Sequence, residues 1–412
     1  MFLKLEGRLL ILLYVFAGGL LSGVVFIGLC SCLPFMLSEH NIKVSEITLI
    51  LAATFPYSWK FALSPAIKNF ILKFQDSKFN IIKIISLVLQ IFIVICFSSI
   101  GYLVNAGYIF IVGLLVFILS ISIALYDTVY SHVNLVSFRT EELGAATSVI
   151  SAGFRLGIFI SGGVMLYVAE AIGWEKSFLA TGIFIALCLI ATAFIPRISN
   201  GQQPTIPDKL FSLKDYVLTF KEFFKKHNII IFTLLLLSLK FADGCISTMK
   251  PIFLQTHGIS KIIFANITHI LGMFVTIISG FLAGYWIGKM GITKCLRHAL
   301  IMQLCATIPF ILLPFKMPGT IILAIIINLA TFTFGFTNVV YRTFAAQESN
   351  RDVNRFALIL SIGSLIRIFS AYIGGVVVDH YSWATMFVIC LIANIPGLFI
   401  YAKTIKNNNT NT

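Results

Sequence analysis

Long runs with few or no charged residues constrain this chain more than any other feature. The clearest cores lie in Leu9 to Leu37, Ile81 to Gly101, Ile229 to Leu239, Ile262 to Ile287 and Ile321 to Val340. A helix needs roughly 20 mostly apolar residues to cross the hydrocarbon layer of a membrane. A water-soluble protein of 412 residues would need a charged shell, and a chain that is 58% hydrophobic and 11% charged cannot supply one. The first apolar run is too long for a signal-peptide core and has no small-x-small cleavage site. It therefore reads as the first helix of the mature protein.

The hydrophobic pattern predicts an all-α polytopic membrane protein of about 12 transmembrane helices. They fall near 9–36, 46–67, 82–103, 107–130, 144–168, 175–195, 229–250, 262–287, 295–313, 319–341, 356–378 and 383–402. The net charge of +14 then resolves into an orientation. With the N-terminus inside, 21 Lys and Arg residues lie on the inner side, 5 on the outer side (Lys43, Lys176, Lys250, Lys261 and Lys316), and four within helices. This is the asymmetry of an even-numbered topology with both termini cytoplasmic in an inner membrane. The basic excess reflects orientation and contact with anionic lipid, so no nucleic-acid partner is expected.

The eight cysteines show no CxxC pair or zinc spacing, and the seven histidines form no ligand grouping. Neither a metal nor another cofactor is expected. No grouping of Ser, His or Asp supplies a nucleophile and base at a membrane face, so the chain does not read as an enzyme. A signalling role is also disfavoured, because the longest polar segment is a loop of only some 30 residues.

That segment, Pro196 to Asn228, sits midway along the chain, and the two sides of it repeat. Arg155 is followed after six residues by Gly162-Gly163, then by Glu170, Trp174 and Phe178. Arg367 is followed after six residues by Gly374-Gly375, then by Asp379, Trp383 and Phe387. The two patterns differ by a gap of three residues. Upstream, Asp127-x-x-Tyr130 matches Asn338-x-x-Tyr341. The organisation expected is an N-terminal six-helix half (1–196), a cytoplasmic linker (197–228) and a C-terminal six-helix half (229–412). Two parallel halves of this kind are the architecture of the major facilitator fold. Gly153, Gly157, Gly162 and Gly163, with Gly374 and Gly375 in the other half, have the small-residue character of close helix packing.

Ionisable groups inside spans are costly, so each is a candidate functional residue. Arg155 and Arg367 lie about twelve residues into their helices, near the midplane. Lys240 and Asp243 share one face of helix 7, and Asp127 and Tyr130 one face near the inner end of helix 4. Lys60 falls in helix 2 and His269 in helix 8. In the architecture that the repeat resembles, helices 1, 4, 7 and 10 line the cavity, which assigns Asp127, Lys240, Asp243 and Asn338 to it. Helices 2, 5, 8 and 11 lie between the halves, each with one basic or potentially basic residue. A cation-lined cavity suits carboxylates or phosphates. Two readings stand for Arg155 and Arg367: they bind substrate, or they clamp one conformation. Lys240 and Asp243 read either as ligand groups or as a self-neutralising pair. Lys60 reads as snorkelling to the headgroups, His269 as a core residue, and Glu170 and Asp379 as solvated helix ends.

Four segments resemble the AmpG-type muropeptide permeases of the major facilitator superfamily. They are Phe55-Pro56-Tyr57-Ser58-Trp59-Lys60-Phe61 with Ser64-Pro65; Glu141-Glu142-x-Gly144 with Gly153-Phe154-Arg155-Leu156-Gly157 and Ser161-Gly162-Gly163; Gly173-Trp174; and Lys240-x-x-Asp243. The resemblance covers most of the chain. It implies proton-driven import of anhydro-muropeptides, the sugar-peptide fragments of cell-wall recycling, across the inner membrane. It implies candidate roles for Lys60, Arg155, Lys240, Asp127 and Asp243. With Tyr130, Asn338 and Arg367 added from the repeat and the intramembrane charges, the substrate-binding candidates are Lys60, Tyr130, Arg155, Lys240, Asn338 and Arg367, and the proton-coupling candidates are Asp127 and Asp243. The expected partners are an anionic sugar-peptide, protons and membrane lipid, and the expected state is a monomer. The sequence departs from the family at Leu63, Lys68, Ser131 and Val136. These departures keep a second cargo open: another anionic metabolite such as an acyl-CoA, a nucleotide or an organic acid.

Overall fold

The computed structural model describes residues 2–58, 80–138, 140–196, 229–349 and 353–408, and every regular element among them is helical. Twelve helices follow in order. They are α1 (Phe2–Ile27, continued by Leu33–Glu39), α2 (Val44–Ala52 and Phe55–Ser58), α3 (Ile81–Asn105), α4 (Ile109–Ser137), α5 (Thr140–Phe159, continued by Met165–Ile172) and α6 (Trp174–Ala186 and Cys188–Ala193). The second set is α7 (Ile229–Thr256), α8 (Lys261–Phe264, continued by Gly272–Met290), α9 (Ile292–Leu312), α10 (Thr320–Glu348), α11 (Val353–His380) and α12 (Trp383–Asn408). Eleven stretches of described residues are long and apolar enough to span a membrane. The twelfth helix, α2, is described only to Ser58, so Lys60 lies outside the described residues, as do residues 197–228.

Side-chain placement is that of a lipid-facing bundle. Phe110, Phe281, Ile321 and Phe399 are among the most exposed large side chains, whereas Gln90, Asn134, Gln303 and Asn394 are buried. Apolar surface outside and amides inside is tolerable only where lipid covers the exterior and every helix satisfies its own backbone. The chain is a multi-pass membrane protein.

Two connections are one residue long, and both are glycines with left-handed backbone. Gly173 (φ 87°) joins α5 to α6 and Gly291 (φ 78°) joins α8 to α9. A side chain at either position would be strained, which is why the helices reverse there without a longer loop.

Several helices outrun the sequence reading. α4 continues to Ser137, α10 to Glu348 and α7 to Thr256, against expected ends at 130, 341 and 250. At 29 residues, α4 and α10 are about 43 Å long, well beyond a hydrocarbon core of about 30 Å. Their polar ends leave the apolar layer without leaving the helix. In α7 the helix passes through Pro251, whose missing N–H costs one backbone bond without ending the element.

Contacts group the chain into two compact units. The described residues of Met1–Leu33 and Ala53–Leu213 form one, and those of Pro34–Ala52 and Lys214–Thr412 form the other. The C-terminal end of α1 and the first part of α2 thus pack with the C-terminal helices. Ser38 Oγ donates to Gln255 Oε1 (2.6 Å), Lys261 pairs with Glu39 (2.9 Å), and Phe35 stacks on Phe264. Asp379, read from the sequence as a solvated helix end, is exposed but accepts the backbone N–H groups of Val44 (3.2 Å) and Ser45 (2.8 Å). It caps the N-terminus of α2.

Candidate functional site

In the first unit the seam between α1 and α5 is built from glycine. A Cβ on Gly153 would meet the Phe16 carbonyl, one on Gly157 the Leu20 carbonyl, and ones on Gly19 and Gly23 the Ile150 and Phe154 carbonyls. The helices touch backbone to backbone, a contact that only a missing side chain permits. Further along the seam each helix widens into a π turn, Gly28–Cys32 in α1 and Ile160–Val164 in α5. Gly162 and Gly163 are buried in the second of these, and the Cys32 thiol donates to the Ser161 carbonyl (3.2 Å). A widened turn frees backbone acceptors, and the thiol takes one of them.

This seam places Ser22 against α4. The Ser22 hydroxyl donates a short hydrogen bond to the buried Asp127 carboxylate and lies 3.5 Å from the Tyr130 hydroxyl. Tyr57 of α2 and Tyr130 stand close enough to interact with that carboxylate. Gly18 makes the space, since a Cβ there would strike the Tyr130 ring. Beside it Gln90 donates to Tyr126 (2.6 Å), and Tyr14 bonds Ser86 (2.7 Å). The first unit therefore holds one carboxylate among hydroxyls. Asp127 lies ten residues short of the end of α4, deeper in the helix than its expected place near the inner end.

Arg155 points away from the glycine seam. It is exposed, two residues from both Gly153 and Gly157, and makes no hydrogen bond or ion pair among the described residues.

The second unit holds the denser constellation. Lys240 of α7 donates to Asn338 Oδ1 on α10 (3.0 Å), lies 3.7 Å from Asp243, and sits 4.5 Å above the Tyr341 ring. Tyr341 is held by its own hydroxyl, which donates to the Ile359 carbonyl (2.6 Å), over a core of Leu236, Leu239, Phe336 and Val340. Four residues singled out by two separate motifs meet at one point. Arg367 of α11 donates to Ser247 of α7 (3.2 Å). Gly374 faces Cys245 of α7 and Gly375 faces Thr48 of α2, so the paired glycines let α11 lie close to two helices at once. His269 is buried in a π segment of α8 (Ala265–Leu271), edge-on to Phe264.

Three further residues belong to these groups although the sequence reading left them aside. Ser22 and Tyr57 complete the surroundings of Asp127. Lys250, counted on the outer side at the expected end of helix 7, lies within α7, which runs on through Pro251, and interacts electrostatically with Asp243 and Arg367. Its spacing of ten residues from Lys240 and seven from Asp243 was the available signal, since both spacings return to one helix face.

The sequence pattern of the Major Facilitator Superfamily matches residues 15–357. A Rickettsia conorii protein is 26% identical over 398 residues, covering 94% of each chain, and a Rickettsia prowazekii protein is 24% identical over 407 residues, covering 98% of this chain and 96% of its own. They carry the names "Putative transporter AmpG 4" and "Putative transporter AmpG 2". Among solved structures, a nucleoside transporter, NupG, superposes with a TM-score of 0.69 at 16% identity, covering 98% of this chain and 100% of its own. A D-xylose-proton symporter gives 0.66 at 16% identity and covers 96% of both. At such identities the two structures establish a shared fold.

Proposed function

This chain belongs to the major facilitator superfamily as a secondary transporter, and we propose that it imports anhydro-muropeptides, coupled to protons. The observation that carries the anionic cargo is the charge content of the second unit. Lys240, Lys250 and Arg367 stand there with Asp243 as the carboxylate among them. A span interior with more cations than anions is costly unless an anion completes it. Muropeptides carry carboxylates on their peptide, and the AmpG-like segments of α2, α5 and α7 favour that cargo over other anions.

Proton coupling falls to Asp127 and Asp243. Asp127 is surrounded by hydroxyls that can hydrogen-bond to either protonation state, which lets a proton come and go without breaking the local structure. Asp243 is tied to Lys240, so its charge state and that of the cation set change together. The two six-helix halves, 1–196 and 229–412, and an inner membrane with both termini cytoplasmic remain the organisation we favour. Transfer of Lys250 into α7 strengthens the bias of Lys and Arg towards the inner side.

A second cargo, another anionic metabolite, is favoured by the departures at Leu63, Lys68, Ser131 and Val136. Uptake of radiolabelled anhydro-muropeptide separates the two. Cells lacking their own muropeptide permease would be assayed with and without this gene, and with and without a protonophore. Protonophore-sensitive uptake that depends on the gene supports the muropeptide reading. No uptake by well-expressed protein removes it in favour of the second cargo.

A further inference from the structure

The charged residues of α7 form one stripe. Lys240, Asp243, Ser247 and Lys250 follow one another at three, four and three residues, the spacing of a single helix face. Within it Lys240 and Asp243 are a pair, joined at 3.7 Å and completed by Asn338. The far end of the stripe is different. Here α7 and α11 touch at Gly244, where a Cβ would lie 2.6 Å from the Cα of Arg367. The Arg367 side chain runs one turn along α7 and donates to the Ser247 hydroxyl. Lys250 lies one further turn on, which puts its Cβ about 5–6 Å from that of Ser247. The ammonium and the guanidinium are close enough to interact, and His269 of α8 interacts with the same ammonium.

Two cations therefore stand about a helical turn apart inside a membrane span. Neither makes an ion pair among the described residues, and Asp243, which acts on Lys250 only at longer range, is paired with Lys240. The neutral hydroxyl of Ser247 orients Arg367 but does not balance it. Like charges in this arrangement repel, and intramembrane cations that lack a fixed counter-ion mark ligand paths.

We propose that Lys250 and Arg367 form an anion-binding point that takes a terminal carboxylate of the substrate. Guanidinium supplies a planar fork for two oxygens, and ammonium supplies a point charge beside it. Ten residues of helix place Lys250 about 15 Å from Lys240 along α7. The substrate held here is elongated, with its anionic peptide end at Lys250 and Arg367 and its uncharged sugar part extending towards the Lys240–Asp243 pair. This rests on the muropeptide reading, in which the peptide end supplies the carboxylate, and it goes further by fixing which end of the ligand binds where.

The test is equilibrium binding to the full-length protein in lipid nanodiscs, with anhydro-muropeptide and glutarate as separate probes. Lys250→Met and Lys250→Gln are expected to raise the Kd for either probe about tenfold or more, as loss of a charged hydrogen bond does. Lys250→Arg, which keeps the charge, is expected to stay close to wild type. Two neutral variants and one charged one separate lost contact from lost folding, because each must elute as a single species. Wild-type binding of glutarate that depends on Lys250, with no binding of muropeptide, supports the anion point and removes the muropeptide reading. Muropeptide binding that is equal in wild type, Lys250→Met and Lys250→Gln overturns the anion point and leaves that reading standing. Wild-type protein that takes neither anion overturns both.

Discussion

The ammonium of Lys240 lies 3.0 Å from the side-chain oxygen of Asn338, on the helix that carries the counterpart of Asp127 in the internal repeat. In one unit the repeated position is a carboxylate bound by hydroxyls. In the other it is a neutral amide bound by a cation, whose charge is balanced by Asp243 at 3.7 Å. The two copies have kept the polar position and divided the chemistry. The amide in the second unit lets Asp243 be the carboxylate that pairs with Lys240.

Removing the cation from that pair strands Asp243 in the interior. Lys240→Met is expected to destabilise the protein by about 3 kcal/mol, the order found when one partner of a buried pair is deleted. Lys240→Met combined with Asp243→Asn should recover much of the loss. Thermal midpoints in nanodiscs measure both, and a double variant no better than the single one contradicts the pairing.

Asp127 predicts a split between coupling and translocation. Asp127→Asn keeps a hydrogen-bonding side chain for Ser22, Tyr57 and Tyr130 but cannot release a proton. The expected result is loss of protonophore-sensitive accumulation with exchange of labelled for unlabelled substrate retained. Counterflow in vesicles reads exchange alone. Accumulation that survives the substitution removes Asp127 from the coupling path.

The α1–α5 seam predicts a steric limit. Gly153→Val or Gly157→Val drives a branched side chain into the Phe16 or Leu20 backbone, which cannot yield as a flexible side chain can. Overpacking of this kind costs about 1–3 kcal/mol or more. Each variant should show a lowered thermal midpoint and a reduced monodisperse yield. An equivalent substitution at Gly284, where a Cβ meets nothing within 4 Å, should show neither.

Asp379 predicts a smaller effect at the start of α2. Its carboxylate accepts two backbone N–H groups at the start of α2, where a negative charge is favoured by the helix dipole. Asp379→Ala is expected to cost about 0.5–1 kcal/mol. Hydrogen exchange should quicken at the amides of Val44 and Ser45, and unchanged protection there contradicts the cap.

What the sequence makes legible, and what it does not, follows from which signals are local. The helical fold is legible because lipid imposes about 20 apolar residues on each span, a pattern carried by contiguous residues. The meeting of Lys240, Asp243, Asn338 and Tyr341 is legible in part, since charges in apolar runs and the repeated x-x-Tyr spacing both flag them. Helix ends are less so, because α4 and α10 continue after the apolar pattern stops. Lys250 stands where the apolar pattern of helix 7 ends, and the helix runs on past it through Pro251 to Thr256. Ser22 is hidden because a lone hydroxyl in an apolar run carries no charge to mark it. The cap by Asp379 joins residues more than 330 positions apart, and nothing local encodes it.

The most direct test of the account is accumulation by the purified protein in proteoliposomes under an imposed pH gradient, with radiolabelled anhydro-muropeptide outside. Proton-coupled import predicts uphill accumulation that requires the gradient and collapses when a protonophore dissipates it. Oriented, well-folded protein that leaves the label at its outside concentration, with the gradient intact, contradicts it.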